Sequence, residues 1–201
     1  MAAEDKKLLV FQELKTRCLQ AFHKNRPVPA SALLMELMDF EMVPSHSPLH
    51  HFIMPAVLLT VASMAKKDAS EAELSDMLEE AWQRAQHVPG GFCGNFGACG
   101  AGVGTGIFLS IFTNTSPHSV ETWQWCSEIT ARSLQQISAV PGPCCCKRTC
   151  FLALEAAIPY IEEKCALTFP EDPPVVCRYS SANEICKRKE CPFYANQEGI
   201  V

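Results

Sequence analysis

Apolar side chains recur with a helical period along most of the chain. In residues 4–24 they fall three or four positions apart, which predicts an amphipathic helix. They are Leu8, Phe11, Leu14, Cys18 and Phe22. The Arg-Pro-Val-Pro run at residues 26–29 predicts the end of this helix. We expect the next helix to begin at Ser31, whose hydroxyl can cap it, and to continue to about residue 40.

The same period predicts further helices downstream. Ser70 and Glu73 have the spacing of a capping box in front of an amphipathic stretch. Ser119 is expected to cap another helix, and a last one spans about residues 147–164, with Pro159 as a kink or an early stop. Few segments alternate as strands do. The predicted fold is therefore mainly α, a single helical-bundle domain with a Cys-rich irregular C-terminal tail.

The composition shifts toward Pro, Cys and charged residues after about residue 168, which suggests three parts. We expect N-terminal helices in residues 1–44, and a helical core with a histidine turn and a Gly/Cys motif in residues 45–168. Residues 169–201 would form a Cys-rich metal-binding tail. With 201 residues, 48% of them hydrophobic, the chain is long enough for one domain with a sizeable core.

Charge and hydropathy exclude several classes of function. The net charge of −5 argues against nucleic-acid binding, which depends on many Lys and Arg side chains. The N-terminus lacks the apolar run of a signal peptide. The two most apolar segments, residues 51–65 and 98–113, are shorter than the ~20 residues that a membrane-spanning helix needs. We expect a cytoplasmic protein that binds neither nucleic acid nor membrane.

Residues 90–106 hold eight of the ten glycines and two of the twelve cysteines, Cys93 and Cys99. In one interpretation the small residues from Gly100 onward let another helix approach closely. In the other, glycines let the backbone close around an inorganic cluster that Cys93 and Cys99 bind at a helix N-terminus, where N–H groups lower a thiol pKa. No G-x-G-x-x-G register fits a dinucleotide loop here. The missing C-x₂-C spacing argues against a thiol redox protein.

A second group of thiols, in the GPCCCKRTC segment of residues 142–150, also follows a Gly/Pro turn at a predicted helix start. The expected ligands of one shared site are Cys93, Cys99, Cys145 and Cys146, with Cys150 as a further candidate. Neither the C-x₅-C spacing of Cys93 and Cys99 nor the run of three adjacent cysteines at 144–146 matches the C-x₂₋₄-C spacing of zinc sites, which favours an iron–sulfur cluster. Lys147 and Arg148 would offset part of its negative charge.

The tail carries three more thiols, Cys177, Cys186 and Cys191, with Cys165 upstream as a candidate fourth ligand. A segment with little core of its own can be held by a metal, because metal binding supplies folding energy. Zinc and a second cluster both fit this pattern, and the alternative is a set of free thiols in a loop.

Three histidines, His46, His50 and His51, stand at the turn before an apolar helix. They can be hydrogen-bonded helix caps, or they can ligate a metal or act as general acids and bases near neutral pH. The H-x₃-H spacing lacks the general-base Glu of zinc proteases, so a protease is not expected.

These motifs, in this order, resemble a known family. The motifs are HSPLHHFIMPAVLL at residues 46–59, VPGGFCGNFGACGAGVGTGI at 88–107, GPCCCKR at 142–148, and NEIC and CPFY in the tail. Over about residues 40–195 the chain is similar to the family catalogued as domain of unknown function 5714. This family occurs mainly in anaerobic bacteria and archaea and is sometimes fused to a methyltransferase-like domain.

The chain departs from that family at three positions. The family reads H-G-P-E-H-H at the histidine turn and often has Arg before the Cys pair, whereas Ser47, Leu49 and Cys144 stand at those positions here. If the family's Glu is a catalytic acid or base, Leu49 removes it.

The order P-A-V-L-L, G-G-x-C, G-x-x-C also resembles iron–sulfur serine dehydratase α chains and cysteine desulfidases. In those enzymes three Cys hold a 4Fe–4S cluster whose open iron acts as a Lewis acid in an elimination. This resemblance implies a 4Fe–4S cluster and a lyase for a small sulfur- or hydroxyl-bearing metabolite. The expected partner is a small-molecule substrate, or a redox or methyltransferase protein. A non-catalytic zinc-binding scaffold or metal-handling accessory module stays an alternative, as does a homodimer.

Overall fold

A computed structural model describes residues 3–24 and 26–195 of the chain, and confirms a mainly α fold over those residues. The α-helices are α1 (Ala3–Phe22), α2 (Ala30–Met38), α3 (Leu49–Ala65), α4 (Glu71–Gln86), α5 (Phe92–Phe96), α6 (Gly100–Phe112), α7 (Glu121–Ser138) and α8 (Cys146–Cys165). Two short 3-10 helices, Ser180–Ala182 and Arg188–Glu190, interrupt the tail. Residues 1, 2 and 25 of the predicted N-terminal part, and residues 196–201 of the predicted tail, lie outside the described residues.

Helix α3 lies at the centre of the bundle. Its side chains are apolar all round, and those from His50 to Ser63 are buried, as expected for a helix enclosed on every side. It packs against α1, α2, α4, α6 and α8. Within the part of the chain that the structure describes, no helix is both long and apolar enough to cross a membrane.

The glycines of α6 are explained by close packing on two sides. A Cβ atom at Gly104 would lie 3.0 Å from Met54 Cβ and from Pro55 Cδ, both on α3. On the opposite side a Cβ at Gly106 would lie 2.2 Å from Thr130 Oγ1 of α7. A helix-interior glycine costs about 1 kcal/mol relative to Ala, and the close approach of α3 and α7 offsets this cost. The interpretation of a small-residue packing helix is therefore correct for α6.

The capping box predicted for α4 is present. Glu73 donates its N–H to Ser70 Oγ at 3.2 Å, and Ser70 donates its N–H to Glu73 Oε2 at 3.0 Å. Both orphan N–H groups at this helix start are thus satisfied locally.

Two local predictions were wrong, and so was the early stop that was one of the two alternatives for Pro159. Helix α2 begins at Ala30, and its Ser31 is buried inside the first turn, where its N–H donates to Asp172 Oδ1 of the tail at 2.9 Å. Helix α7 begins at Glu121, because Ser119 Oγ instead accepts the N–H of Ser116 at 3.0 Å. Pro159 does not stop α8, which continues to Cys165.

The tail is irregular, as predicted, and follows the outside of the bundle. It is attached at several points besides Asp172. Tyr179 donates its hydroxyl to Asp39 Oδ1 at 2.9 Å, and Arg178 pairs with the same carboxylate. The ring of Phe193 lies 5.2 Å from that of Phe151 on α8 and is itself buried. These contacts place residues 169–195 against α2 and the first half of α8.

We expect Gly104→Ala to lower the free energy of unfolding by about 1–2 kcal/mol. The added methyl group overpacks α3 at a cost of about 1–3 kcal/mol, and the better helix propensity offsets up to about 1 kcal/mol. Chemical denaturation measures the change. The matched control is Gly94→Ala, a helical glycine with no neighbouring atom within 4 Å of the new Cβ. Equal destabilisation by both variants would contradict the close-packing explanation.

Candidate metal centre

One cavity brings together thiols from two distant segments and the histidine turn. Its volume is about 320 Å³. The cysteines and histidines that line it are His46, His50, His51, Cys93, Cys99, Cys144 and Cys146. We call it the thiol–imidazole cavity. The prediction that the two thiol segments meet across the bundle is therefore confirmed in its main point.

The first segment reaches the cavity through a short helix between two glycine turns. Gly91 precedes α5 with φ of 78°, and Gly97 follows it with φ of 71°, the left-handed region that favours glycine. Cys93 lies on this short helix. Cys99 is the extended N-cap residue of α6, so its side chain lies beside the first N–H groups of that helix.

The second segment approaches in an extended conformation. Cys145 is the N-cap of α8, with φ of −141° and ψ of 108°. Successive side chains of an extended backbone point to opposite sides, so Cys144 and Cys146 face one way and Cys145 faces the other. Cys144 and Cys146 line the thiol–imidazole cavity. Cys144 Sγ lies 3.5 Å from Cys93 Sγ, which joins the two segments directly.

Two of the histidines present a free nitrogen lone pair. His50 Nδ1 lies 3.1 Å from the carbonyl of Ser47, and His51 Nδ1 lies 2.9 Å from the carbonyl of Val88. A carbonyl only accepts, so Nδ1 carries the proton in both rings and Nε2 keeps its lone pair. His50 Nε2 is buried without a hydrogen-bond partner among the described residues. This pattern, with one ring nitrogen fixed by a carbonyl, is typical of metal-binding histidines.

The burial of His50 also fixes its charge. Desolvation, aided by the nearby ammonium of Lys147, lowers the pKa of His50 to about 3. Burial likewise lowers the pKa of His51, although its bond to Val88 opposes the shift. Both rings are therefore neutral at physiological pH and can accept a proton or a metal.

Space for His51 depends on the glycine that opens α6. A Cβ at Gly100 would lie 2.0 Å from His51 Cδ2 and 2.3 Å from its Nε2. No side chain fits there while the imidazole keeps this position. Gly100 thus lets His51 lie against the N-terminus of α6, beside Cys99.

His46 lies at the exposed edge of the cavity. Its Nε2 lies 3.1 Å from the carbonyl of Cys144, to which it donates. The histidine turn is thereby connected to the start of α8. Cys144 is also exposed, so this edge is where a small molecule would enter.

The thiols are not activated as the sequence suggested. Burial raises the pKa of Cys99, although the Thr149 hydroxyl and the N–H groups of Ala101 and Gly102 act in the opposite direction. A hydrogen bond with Cys146, followed by burial, raises the pKa of Cys144. The expected lowering of the pKa by a helix N-terminus is outweighed by desolvation. Without a metal these thiols are neutral.

Cys145 and the tail thiols occupy a different, smaller cavity, on the other side of the α8 start. Cys145, Cys177, Cys186 and Cys191 line it together with Arg148 and Asn183. The sequence grouped Cys145 with Cys93 and Cys99 instead. Cys165, the candidate fourth ligand of the tail, is the last residue of α8, about 28 Å from the helix start at 1.5 Å per residue. It does not line either cavity.

The remaining predicted residues lie nearby but outside the thiol–imidazole cavity. Cys150 is fully buried, with its Sγ 4.0 Å from the carbonyl of His50. Lys147 donates to the carbonyl of Met38 at 2.8 Å, and Arg148 donates to the carbonyl of Pro143 at 2.6 Å. Neither cation lines the cavity that it was expected to serve.

A profile of the family of unknown function DUF5714 matches residues 15–194. The chain belongs to this family. The matched residues include every thiol and imidazole of both cavities, and they end at the residue that follows buried Phe193. No curated protein and no solved structure matches the chain.

Two residues of this DUF5714 chain, Thr149 and Asn183, were missed in the sequence, and Cys144 was not among the best-placed ligands. The sequence could have indicated Cys144, because it lies two residues before Cys146. In an extended backbone, residues two positions apart have their side chains on the same side. Thr149 lines the thiol–imidazole cavity one turn into α8, and its hydroxyl contacts Cys99. Asn183 donates to Cys145 Sγ at 3.5 Å, a contact across 38 residues that no local pattern indicates.

The thiols and imidazoles that line the two cavities are not arranged as the ligands of a metal ion. Among residues 3–24 and 26–195, no three His, Cys, Asp or Glu side chains are arranged so that they could hold an ion. Any metal must therefore draw the sulfurs together, and metal binding must release their protons.

We expect mild oxidation of the metal-free protein with diamide to link Cys93 to Cys144, because their sulfurs are already 3.5 Å apart. Peptide mapping by mass spectrometry of the unreduced protein identifies the link. Cys144→Ser removes it, while Cys145→Ser leaves it intact. A dominant link between Cys93 and Cys145 would show that the side-chain alternation at the start of α8 is wrong.

Proposed function

We propose that this DUF5714 protein binds an iron–sulfur cluster in the thiol–imidazole cavity. The observation that carries the proposal is the convergence on one cavity of four thiols, from two segments about 50 residues apart, and two neutral imidazoles of the histidine turn. Thiol ligands select soft metals such as iron in clusters, zinc and copper. The volume of about 320 Å³ suits a cluster with a substrate better than a single ion.

Cys93, Cys99 and Cys146 would hold the cluster. They come from α5, the α6 N-cap and the first residue of α8, and N–H groups at the starts of α5 and α6 already interact with Cys93 and Cys99. Such N–H groups form hydrogen bonds with sulfur and stabilise its negative charge. Cys144 stays at the exposed edge.

A cluster with three thiolate ligands supplies an open iron that serves as a Lewis acid. The chain itself supplies two bases. His50 and His51 are neutral, each keeps its Nε2 lone pair, and each is fixed by a backbone carbonyl. A base that is held in place can take a proton from a substrate carbon or hydroxyl. These groups fit a lyase for a small hydroxyl- or sulfur-bearing metabolite.

The proposal assumes a reducing compartment such as the cytoplasm. All twelve cysteines are free thiols, and clusters of free thiols persist where disulfides do not form.

We expect the protein purified without oxygen, or reconstituted with ferrous iron and sulfide, to be coloured and to contain iron and acid-labile sulfide. Cys93→Ser and Cys99→Ser lose both, because each removes a ligand of the cavity. Cys126→Ser is the matched control, since that half-buried thiol on α7 lies outside the cavity. Metal analysis and the visible spectrum measure the result. A colourless wild-type protein after reconstitution would refute the cluster.

We expect the reconstituted protein to release pyruvate and ammonia from L-serine, or pyruvate, ammonia and hydrogen sulfide from L-cysteine. His50→Gln is expected to lower this rate by about 10²–10⁴-fold with the iron content unchanged. His118→Gln, on an exposed turn, is the control and should keep full activity. If the cluster-loaded protein releases no product from either amino acid, the lyase part of the proposal fails and the cluster binding stands alone.

A further inference from the structure

The cavity under the tail contains four thiols that the thiol–imidazole cavity does not use. They are Cys145, Cys177, Cys186 and Cys191. The chain brings them from the N-cap of α8 and from three points of the irregular tail. We call this place the tail cavity.

The volume of the tail cavity is about 20 Å³, against about 320 Å³ for the thiol–imidazole cavity. About 10–15 Å³ on this measure is the room for one water molecule. The tail cavity thus has room for one atom-sized occupant and is too small for a four-iron cluster. Its walls are mostly sulfur, ring carbons and cations.

Hydrogen-bond donors already approach these sulfurs. Asn183 Nδ2 donates to Cys145 Sγ at 3.5 Å, and the N–H of Arg188 donates to Cys186 Sγ at 3.4 Å. The N–H of Tyr179 interacts with Cys177 in the same sense. Donors to sulfur favour the thiolate over the thiol, and metal-bound thiolates are commonly surrounded in this way.

Two cations line the tail cavity as well. Arg148 is only 5% exposed, and its Nε is buried without a hydrogen-bond partner among the described residues. Lys187 donates to the carbonyl of Gly142 at 3.1 Å. An unpaired donor at a wall made of sulfur is costly unless a negative charge is present. Four thiolates around a divalent ion carry a net charge of −2. Arg148 would offset part of it, whereas Lys187 is already paired with Glu190 at 2.8 Å.

We propose that Cys145, Cys177, Cys186 and Cys191 together bind one Zn²⁺ ion that fastens the tail to the start of α8. Four thiolates in a closed tetrahedral arrangement are a standard structural zinc site. On binding, the four thiols release four protons to solvent, four Zn–S bonds form, and nothing is oxidised or reduced. The inference does not depend on a cluster in the thiol–imidazole cavity.

The tail has a physical need for such an ion. Among its described residues only Phe193 and Asn183 are buried, so it contributes little to the hydrophobic core. Among these residues β-type pairing is limited to one bridge, between Cys177 and Tyr194, and the other backbone hydrogen bonds join residues three positions apart in local turns. A metal that joins Cys145 to three tail residues replaces the missing core with bond energy.

The test is metal binding by the full-length protein in a Cys93→Ser, Cys99→Ser background, which disables the other cavity. After chelation under reducing conditions the protein is titrated with Zn²⁺, and separately with Co²⁺ as a coloured probe. We expect one Zn²⁺ per chain and a cobalt spectrum with intense thiolate-to-metal charge-transfer bands. Cys186→Ser or Cys191→Ser abolishes both, and Cys165→Ser, which removes a thiol outside both cavities, leaves both unchanged.

Limited trypsin digestion gives a second measurement that requires no mutation. With Zn²⁺ bound, cleavage at Lys187 and Arg188 is slowed relative to the chelated protein, while the helical circular dichroism is equal in both. The inference is overturned if the background protein takes up no Zn²⁺ or Co²⁺, or if Cys165→Ser removes as much metal as Cys186→Ser. It is also overturned if the bound metal is iron with sulfide. Loss of the cluster from Cys93→Ser with the zinc retained separates this result from the proposed function.

Discussion

The direction of three successive thiols at the start of α8 decides what each cavity contains. Because Cys145 is extended, its side chain points away from those of its neighbours. Cys144 and Cys146 therefore face the histidine turn, and Cys145 faces the tail. Had the helix begun one residue earlier, Cys145 would have followed the helical period and the two cavities would not share this junction. A single extended residue separates a large thiol–imidazole cavity from a small all-thiol one.

The rigid elements on either side keep that junction in place. Helix α3 is enclosed by the bundle, and α6 approaches it so closely that Gly104 has no space for a methyl group. The same approach places Cys99 and Gly100 against His51. Sites that rest on packed helices are held more precisely than sites on loops, and this one combines two helix starts with a buried helix. The glycine-rich segment thus has two functions, close packing in α6 and left-handed turns around Cys93.

The sequence predicted the helices well, because their periodicity is a local property. The capping box at Ser70 and Glu73 was also correct, since both partners lie within one turn. Ser31 and Asp172 show why other details were not predictable, as the real partner of the Ser31 N–H is 141 positions away. The sequence predicted that the two thiol segments meet, because each follows a Gly/Pro turn at a predicted helix start. Which cavity Cys145 lines depended on a backbone dihedral angle. Cys165 was excluded as a ligand of the tail site only by the length of α8. This helix continues past Pro159 and carries Cys165 to its far end.

Burial gives both cavities the same electrostatic character. Desolvation raises the pKa values of Cys99, Cys145 and Cys177 and lowers that of His50, so that every one of these groups is neutral without a metal. Neutral thiols and imidazoles do not repel one another, so the helical bundle can form before any metal is present. The same neutrality means that each thiol must lose a proton to become a ligand, and metal affinity must increase with pH. The N–H groups and cations around the sulfurs then stabilise a charge that the metal-free protein does not carry.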